Sequence, residues 1–139
     1  MYLLDTNIIS ELRKVKSSKA DERVIAWVNS VSASDLFISV ITILELERGA
    51  LLMERRDPVQ GKLLRTWLNT HVFPAFSDRV LVFDTAVAKL CAKLHVPNRR
   101  PDHDAIIAAT ASVHDMIVVT RNVADFQFMD VEILNPWKL

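Results

Sequence analysis

The sequence predicts an α/β fold: a central parallel sheet covered by helices on both faces, an α/β/α sandwich. Short apolar segments alternate with segments of helical period, and the apolar ones lack the in-and-out alternation of a sheet with one wet face. Composition agrees. Half of the 139 residues are hydrophobic, 24% are charged and only two are Gly, which suits a well-packed chain rich in helix. The length fits one domain spanning 1–139.

The elements follow in order. Tyr2-Leu3-Leu4 is a short apolar run that stops abruptly at Asp5, and Thr6 to about Arg13 reads as a helix. A basic connection, Lys14 to Lys19, leads to a helix over Glu22 to Val31, where Val24, Ile25, Val28 and Val31 recur at helical spacing. Leu36 to Val40 is a buried-strand pattern that runs into a helix over Thr42 to Leu52. Asp57-Pro58 interrupts the period, and Gln60 to Phe76 resumes it with Leu63, Leu64, Trp67, Leu68 and Val72. Two helices therefore follow each other without a strand. They either project as a hairpin that offers Leu and Trp to a partner, or fold back onto the core. Arg79 to Phe83 is the third strand, and Asp84 caps a helix that ends near His95 before Pro97 and Asn98. Pro101 to Asp104 opens a helix reaching His114, Met116 to Val119 is the most strand-like segment, Asn122 to Phe126 is a loop, and Val131 to Leu134 is a last strand.

The formal net charge is zero, which argues against a protein that holds nucleic acid by bulk charge alone. Arg13-Lys14-Val15-Lys16 and Arg99-Arg100 remain as local basic clusters. The single cysteine, Cys91, lies in an apolar helical pattern and has no disulfide partner, so core packing in a reducing compartment is expected. No signal-peptide pattern and no run approaching the ~20 apolar residues of a membrane span is present, so a soluble cytoplasmic protein is expected.

Four acidic residues are candidates for chemistry. Asp5 ends the first strand, and open parallel sheets bind ligands beyond the carboxyl ends of their strands; the same Asp could equally cap the helix that follows. Glu45 stands three residues after Thr42, the spacing of a capping box, yet a helix fed directly by a strand also brings it to the sheet's carboxyl edge. Asp102 and Asp104 both complement a helix N-terminus. Only Asp104 is followed at three, four and seven positions by Ile107, Ala108 and Ala111, which puts it on the inward face. An inward carboxylate without a partner costs several kcal/mol or takes up a proton, and a cation shared with Asp5 relieves both. Asp125 follows the best strand and is either a solvated turn residue or a fourth acid, with Asn122 a neutral alternative. Hard oxygen donors without a His or Cys cluster fit Mg²⁺, or Mn²⁺, better than Zn²⁺. His71, His95 and His114 lie near helix ends and read as structural, while His103, beside Asp104, could contact a substrate.

The order Asp5, Glu45, Asp104, Asp125 resembles the PIN-domain ribonucleases, and within them the VapC-type toxins of bacterial toxin–antitoxin pairs. Four segments carry the resemblance: Tyr2 to Asn7, Ser39 to Gly49, Asp104 to Ala109, and Val119 to Phe126. It implies a PIN-like fold paired as a homodimer, a Mg²⁺-dependent endoribonuclease that hydrolyses phosphodiester bonds in single-stranded loops of structured RNA, and a cognate antitoxin that lays a C-terminal segment across the active groove. Operator DNA would be met only through the antitoxin complex. It further implies that Asp5 and Asp104 hold the metal, that Glu45 and Asp125 complete an acidic catalytic pocket, and that Thr6, Asn7 and Thr120 support it. Arg121, with Arg13 and Lys14, is a candidate phosphate contact, and Asn122 the substitute for Asp125. Two other readings are a receiver-like Mg²⁺-binding signalling domain, whose phospho-accepting Asp and later Lys find no match here, and a catalytically silent PIN module that only binds partners.

Overall fold

The computed structural model describes all residues, Met1–Leu139. Five parallel strands form one sheet in the order β3-β2-β1-β4-β5, where β1 is Tyr2–Leu4, β2 Leu36–Ser39, β3 Val80–Leu81, β4 Ile117–Val119 and β5 Ile133–Leu134. The chain runs outward from β1 through β2 to β3, then returns to the other side of β1 for β4. The direction of winding thus reverses between β1 and β4, and an open α/β sheet offers its ligand crevice at such a reversal.

The helices are α1 (Thr6–Leu12), α2 (Glu22–Ser30), α3 (Val40–Arg56), α4 (Pro58–Trp67), α5 (Phe73–Ala75), α6 (Thr85–Leu94) and α7 (Asp102–Val113). A π-helical turn, Leu68–Val72, joins α4 to α5. Successive strand residues point to opposite faces, so the core divides in two. Leu4 and Val119 face one cluster with Ile8, Val24, Trp27, Ile38, Leu46 and Leu68. Leu3 and Val118 face the other with Val87, Cys91, Ile107, Ala108, Phe126 and Met129. Both faces are covered, which explains why the strands read as unbroken apolar runs.

Several expected boundaries shift. The third strand, expected over Arg79 to Phe83, is limited to Val80–Leu81, because as an edge strand it pairs only with Ile38 and Ser39; Val82 and Phe83 are exposed. The last strand is likewise limited to Ile133–Leu134. Val40 opens α3 rather than ending β2. Ser39 is the cap, its hydroxyl accepting from the Ile41 N–H at 3.1 Å. Thr42 is therefore inside the helix, completely buried, and Glu45 stands in the second turn, so the expected Thr42–Glu45 capping box does not exist. Asn122 to Phe126, expected as a loop, contains a 3₁₀ turn at Val123–Phe126.

The α3–α4 pair is a hairpin that also folds back. Asp57 joins the two helices and accepts from the Gln60 N–H at 3.2 Å, while Pro58 needs no donor in the first turn. Arg65 reaches Glu47 at 2.6 Å and Glu54 at 3.0 Å, tying α4 to α3. Leu46, Ala50, Leu68 and Val72 are buried in the core, whereas Leu51, Leu52, Val59 and Leu63 on the outer side are exposed.

The two glycines both sit in these helices and have opposite surroundings. A Cβ at Gly61 would lie 2.3 Å from the Glu54 Cα, so this glycine permits the helices to touch, while a Cβ at Gly49 would meet nothing within 4 Å. Gly49→Ala is therefore expected to raise stability by about 1 kcal/mol through helix propensity. Gly61→Ala is expected to lower it by about 1–3 kcal/mol through overpacking. Thermal unfolding followed by circular dichroism checks both, with Tm moving in opposite directions.

Candidate active site

The winding reversal brings the carboxyl ends of β1 and β4 side by side, and Asp5 stands there. Its N–H donates to the Val119 carbonyl at 2.9 Å, continuing the sheet ladder by one residue. Its side chain is buried, at 6% exposure. One carboxylate oxygen accepts from the Thr6 N–H at 2.8 Å and caps α1; the other accepts from the Thr120 hydroxyl at 2.8 Å and the Asn7 amide at 3.3 Å. The choice between helix cap and site residue is thus not exclusive, because one oxygen serves each. Thr6 and Asn7 both lie within α1, and their side chains act toward Glu45, Asp5 and Thr120.

Each neighbour is itself held. Thr6 donates to Glu45 Oε1 at 3.0 Å, with Thr42 Oγ1 at 3.4 Å behind it. Asn7 also donates to Thr120 Oγ1 at 3.3 Å and accepts from the Arg121 N–H at 3.4 Å. Thr120, fully buried, accepts in turn from the Asn122 N–H at 3.0 Å. The network links the start of the chain, the start of α3 and the segment after β4. Arg121 is exposed next to it, its guanidinium 5.4 Å from the Trp137 ring, within cation–π range.

Asp104 is the third residue of α7 and half-buried, so its side chain is less enclosed than that of Asp5. Burial pushes its carboxyl up to about 6, and the charges of Asp5, Asp125 and Glu45 add to the rise while His103 opposes it. Asp5 is raised by burial, with the donors Thr120 and Thr6 working against this and the Glu45 and Asp125 charges adding to it. The four acids therefore share one electrostatic neighbourhood. Asp125 is exposed, yet its charge reaches both inner aspartates; Asn122 takes part through its backbone.

No Lys or Arg neutralises the inner acids: the ion pairs of the molecule with those side chains lie elsewhere. The one basic group at hand is His103, with Nδ1 3.8 Å from Glu45 Oε2. No three acidic, His or Cys side chains approach closely enough to cage an ion by themselves. A pair of carboxylates with water filling the remaining positions is the arrangement Mg²⁺ favours, so the donor set fits that ion.

Residues 2–130 match the PIN domain family. The chain belongs to the PIN-domain family. Toxin FitB of Neisseria gonorrhoeae is 36% identical over 145 residues, spanning 99% of each chain. VapC ribonuclease Y4jK of Sinorhizobium fredii is 35% identical over 146 residues, again 99% of each. The crystal structure of FitAcB from Neisseria gonorrhoeae has a TM-score of 0.90 at 35% identity over 100% of both chains. A FitAB structure bound to an IR36 DNA fragment has a TM-score of 0.89 at 35% identity, over 100% of this chain and 97% of that one. The PIN fold agrees with the parallel sheet and its two helical layers.

Two participants escaped the sequence reading. Thr42 was read as a cap, and nothing local marked it as the buried neighbour of Thr6. His103 was read only as a group that could contact a substrate, and its place 3.8 Å from Glu45 Oε2 was not anticipated.

The raised carboxyl of Asp104 sets a pH dependence. It holds its proton more tightly folded than unfolded, so its contribution to stability is complete below the ordinary value of 3.8 and is lost as pH rises through about 6. Without divalent cations, Tm is expected to rise by a few degrees as pH falls from about 7 to about 5. Added Mg²⁺ is expected to raise Tm at the upper end of that window and much less at the lower, where protons compete for the same oxygens. Scanning calorimetry with and without Mg²⁺ measures both.

Proposed function

We propose that this protein is a Mg²⁺-dependent endoribonuclease toxin of a toxin–antitoxin pair. The observation that carries the reading is the set of four carboxylates, two with raised affinity for protons, gathered at the winding reversal with no Lys or Arg to balance them. Membership of the PIN-domain family and the similarity to a VapC ribonuclease and to Toxin FitB support it.

Asp5 and Asp104 would hold the metal, with Mn²⁺ an acceptable substitute, and Glu45 and Asp125 would complete the acidic pocket. When bound, the ion supplies activation of water and neutralisation of the charge that builds on phosphorus. The protein's own part is orientation. Thr120 and Asn7 fix one oxygen of Asp5, Thr6 fixes Glu45, and the acids hold the attacking water in line with the scissile phosphorus. Water adds to phosphorus, the bond to the ribose oxygen breaks, and that oxygen takes a proton as it leaves. Arg121 at the rim offers a guanidinium to a phosphate of the incoming strand. Single-stranded loops are the preferred RNA class, because their bases are splayed out and free to reach a protein crevice.

An antitoxin and a second copy of the chain are the proposed protein partners. The FitAB structures and the exposed outer side of the α3–α4 hairpin, with Leu51, Leu52, Val59 and Leu63, support a protein-covered surface. DNA would be reached only through that complex, in keeping with a net charge of zero. No helix is long and apolar enough to cross a membrane.

Purified protein is expected to cut structured RNA with Mg²⁺ and not after chelation. Asp5→Asn and Asp104→Asn should each lower the rate by about a hundredfold or more. Gel analysis of labelled RNA decides: cleavage that survives chelation, or cleavage by both variants at the rate of the unsubstituted protein, overturns the reading.

A further inference from the structure

Beside the carboxylates, a groove of about 390 Å³ opens between α1 and the α3–α4 hairpin. That volume lies within the ~300–1,000 Å³ of small-ligand sites. Thr6 and Glu45, both members of the acidic network, form one end; Leu64 and Trp67 supply an apolar wall; Arg13 and Lys14 stand at the rim. Lys14 is shared with Glu11 at 3.1 Å, while Arg13 has no ion-pair partner.

Gly49 also lines this groove. It stands in the middle of α3, where only proline is a poorer helix former. Neither usual reason for a glycine applies. Its backbone is not left-handed, and a Cβ would meet nothing within 4 Å. The bare backbone leaves the groove deeper at a cost to the helix, and the space it leaves adjoins the candidate active site.

We propose that this groove receives the nucleotide next to the scissile bond of a single-stranded RNA. Its base lies over Gly49 against Leu64 and Trp67, and its outer phosphate meets Arg13 and Lys14. The inference rests on the ribonuclease reading and adds to it a subsite with a stated occupant. The order of chemistry along the groove favours RNA. A metal-ready acidic end suits the scissile phosphate, an apolar and aromatic wall suits a base, and a basic rim suits the next phosphate. Every base has a flat face to offer Trp67, so the subsite selects unpaired nucleotides rather than one sequence.

The test measures binding and cleavage separately. For binding, the intact chain carrying Asp104→Asn is titrated into a labelled, mixed-sequence, single-stranded oligoribonucleotide, alone and combined with Gly49→Ala, Gly49→Leu or Arg13→Ala. Affinity is expected to fall with side-chain size at residue 49, by about tenfold or more for Gly49→Leu. An oligonucleotide with one abasic position should lose affinity when that position falls in the groove, and Gly49→Leu should then cost nothing further. Arg13→Ala should weaken binding and flatten its salt dependence. Gly49→Leu that unfolds like its parent and binds RNA equally well overturns the proposal, including the case where it loses only a partner polypeptide.

For cleavage, the ratio of kcat/KM on the oligonucleotide to that on bis(p-nitrophenyl) phosphate, which has no base, should fall in Gly49→Leu. If the chain without substitutions hydrolyses neither compound with Mg²⁺ or Mn²⁺, the ribonuclease reading fails. The binding series still decides whether a nucleotide occupies the groove.

Discussion

The hydrogen bond from the Thr120 hydroxyl to Asp5, 2.8 Å long, is the contact on which the site depends. A buried carboxylate among three more is costly, and the donors Thr120 and Thr6 work against the resulting pull toward the protonated form, with Asn7 a third donor to the same group. The bond forms only if β1 and β4 are neighbours in register, with Leu4 opposite Val119. Sheet topology, core packing on both faces and the chemistry of the rim therefore converge on one pair of side chains. The same Asp5 caps α1, so the helix and the site share a single fixed point.

A cation would relieve the unfavourable charge that remains. Asp104 shows this most clearly: half-buried, facing three other acids, and opposed only by His103. An ion that kept its waters would satisfy such a site without a closed protein cage. A Lys or Arg in the same place would stabilise the fold and close the site to an ion. The arrangement gives up stability at the point where the proposed chemistry occurs.

Much of this was legible in the sequence. Asp5 and Asp104 were readable because each combines a carboxylate with an apolar pattern, one at a strand end and one on the inward side of a helix. The parallel sheet followed from apolar runs without alternation. The start of α3 was not legible, since Ser39 and Thr42 are both good caps three residues apart and only the pairing of β2 decides between them. Thr42 meets Thr6 across 36 residues of chain, a contact no local pattern encodes. Gly49 was visible as a letter, but the open space above it exists only once α1 lies alongside the hairpin.

The pairing of β1 with β4 also orders events during synthesis. Asp5 is synthesised 115 positions before the Thr120 that holds it. Asp104 and Asp125 also come long after Asp5. A growing chain thus carries an incomplete set of acids, and a β1 without its β4 neighbour, until Asp125 has been added. The acids that the proposed ribonuclease reading needs are therefore brought together late, once β4 has paired with β1.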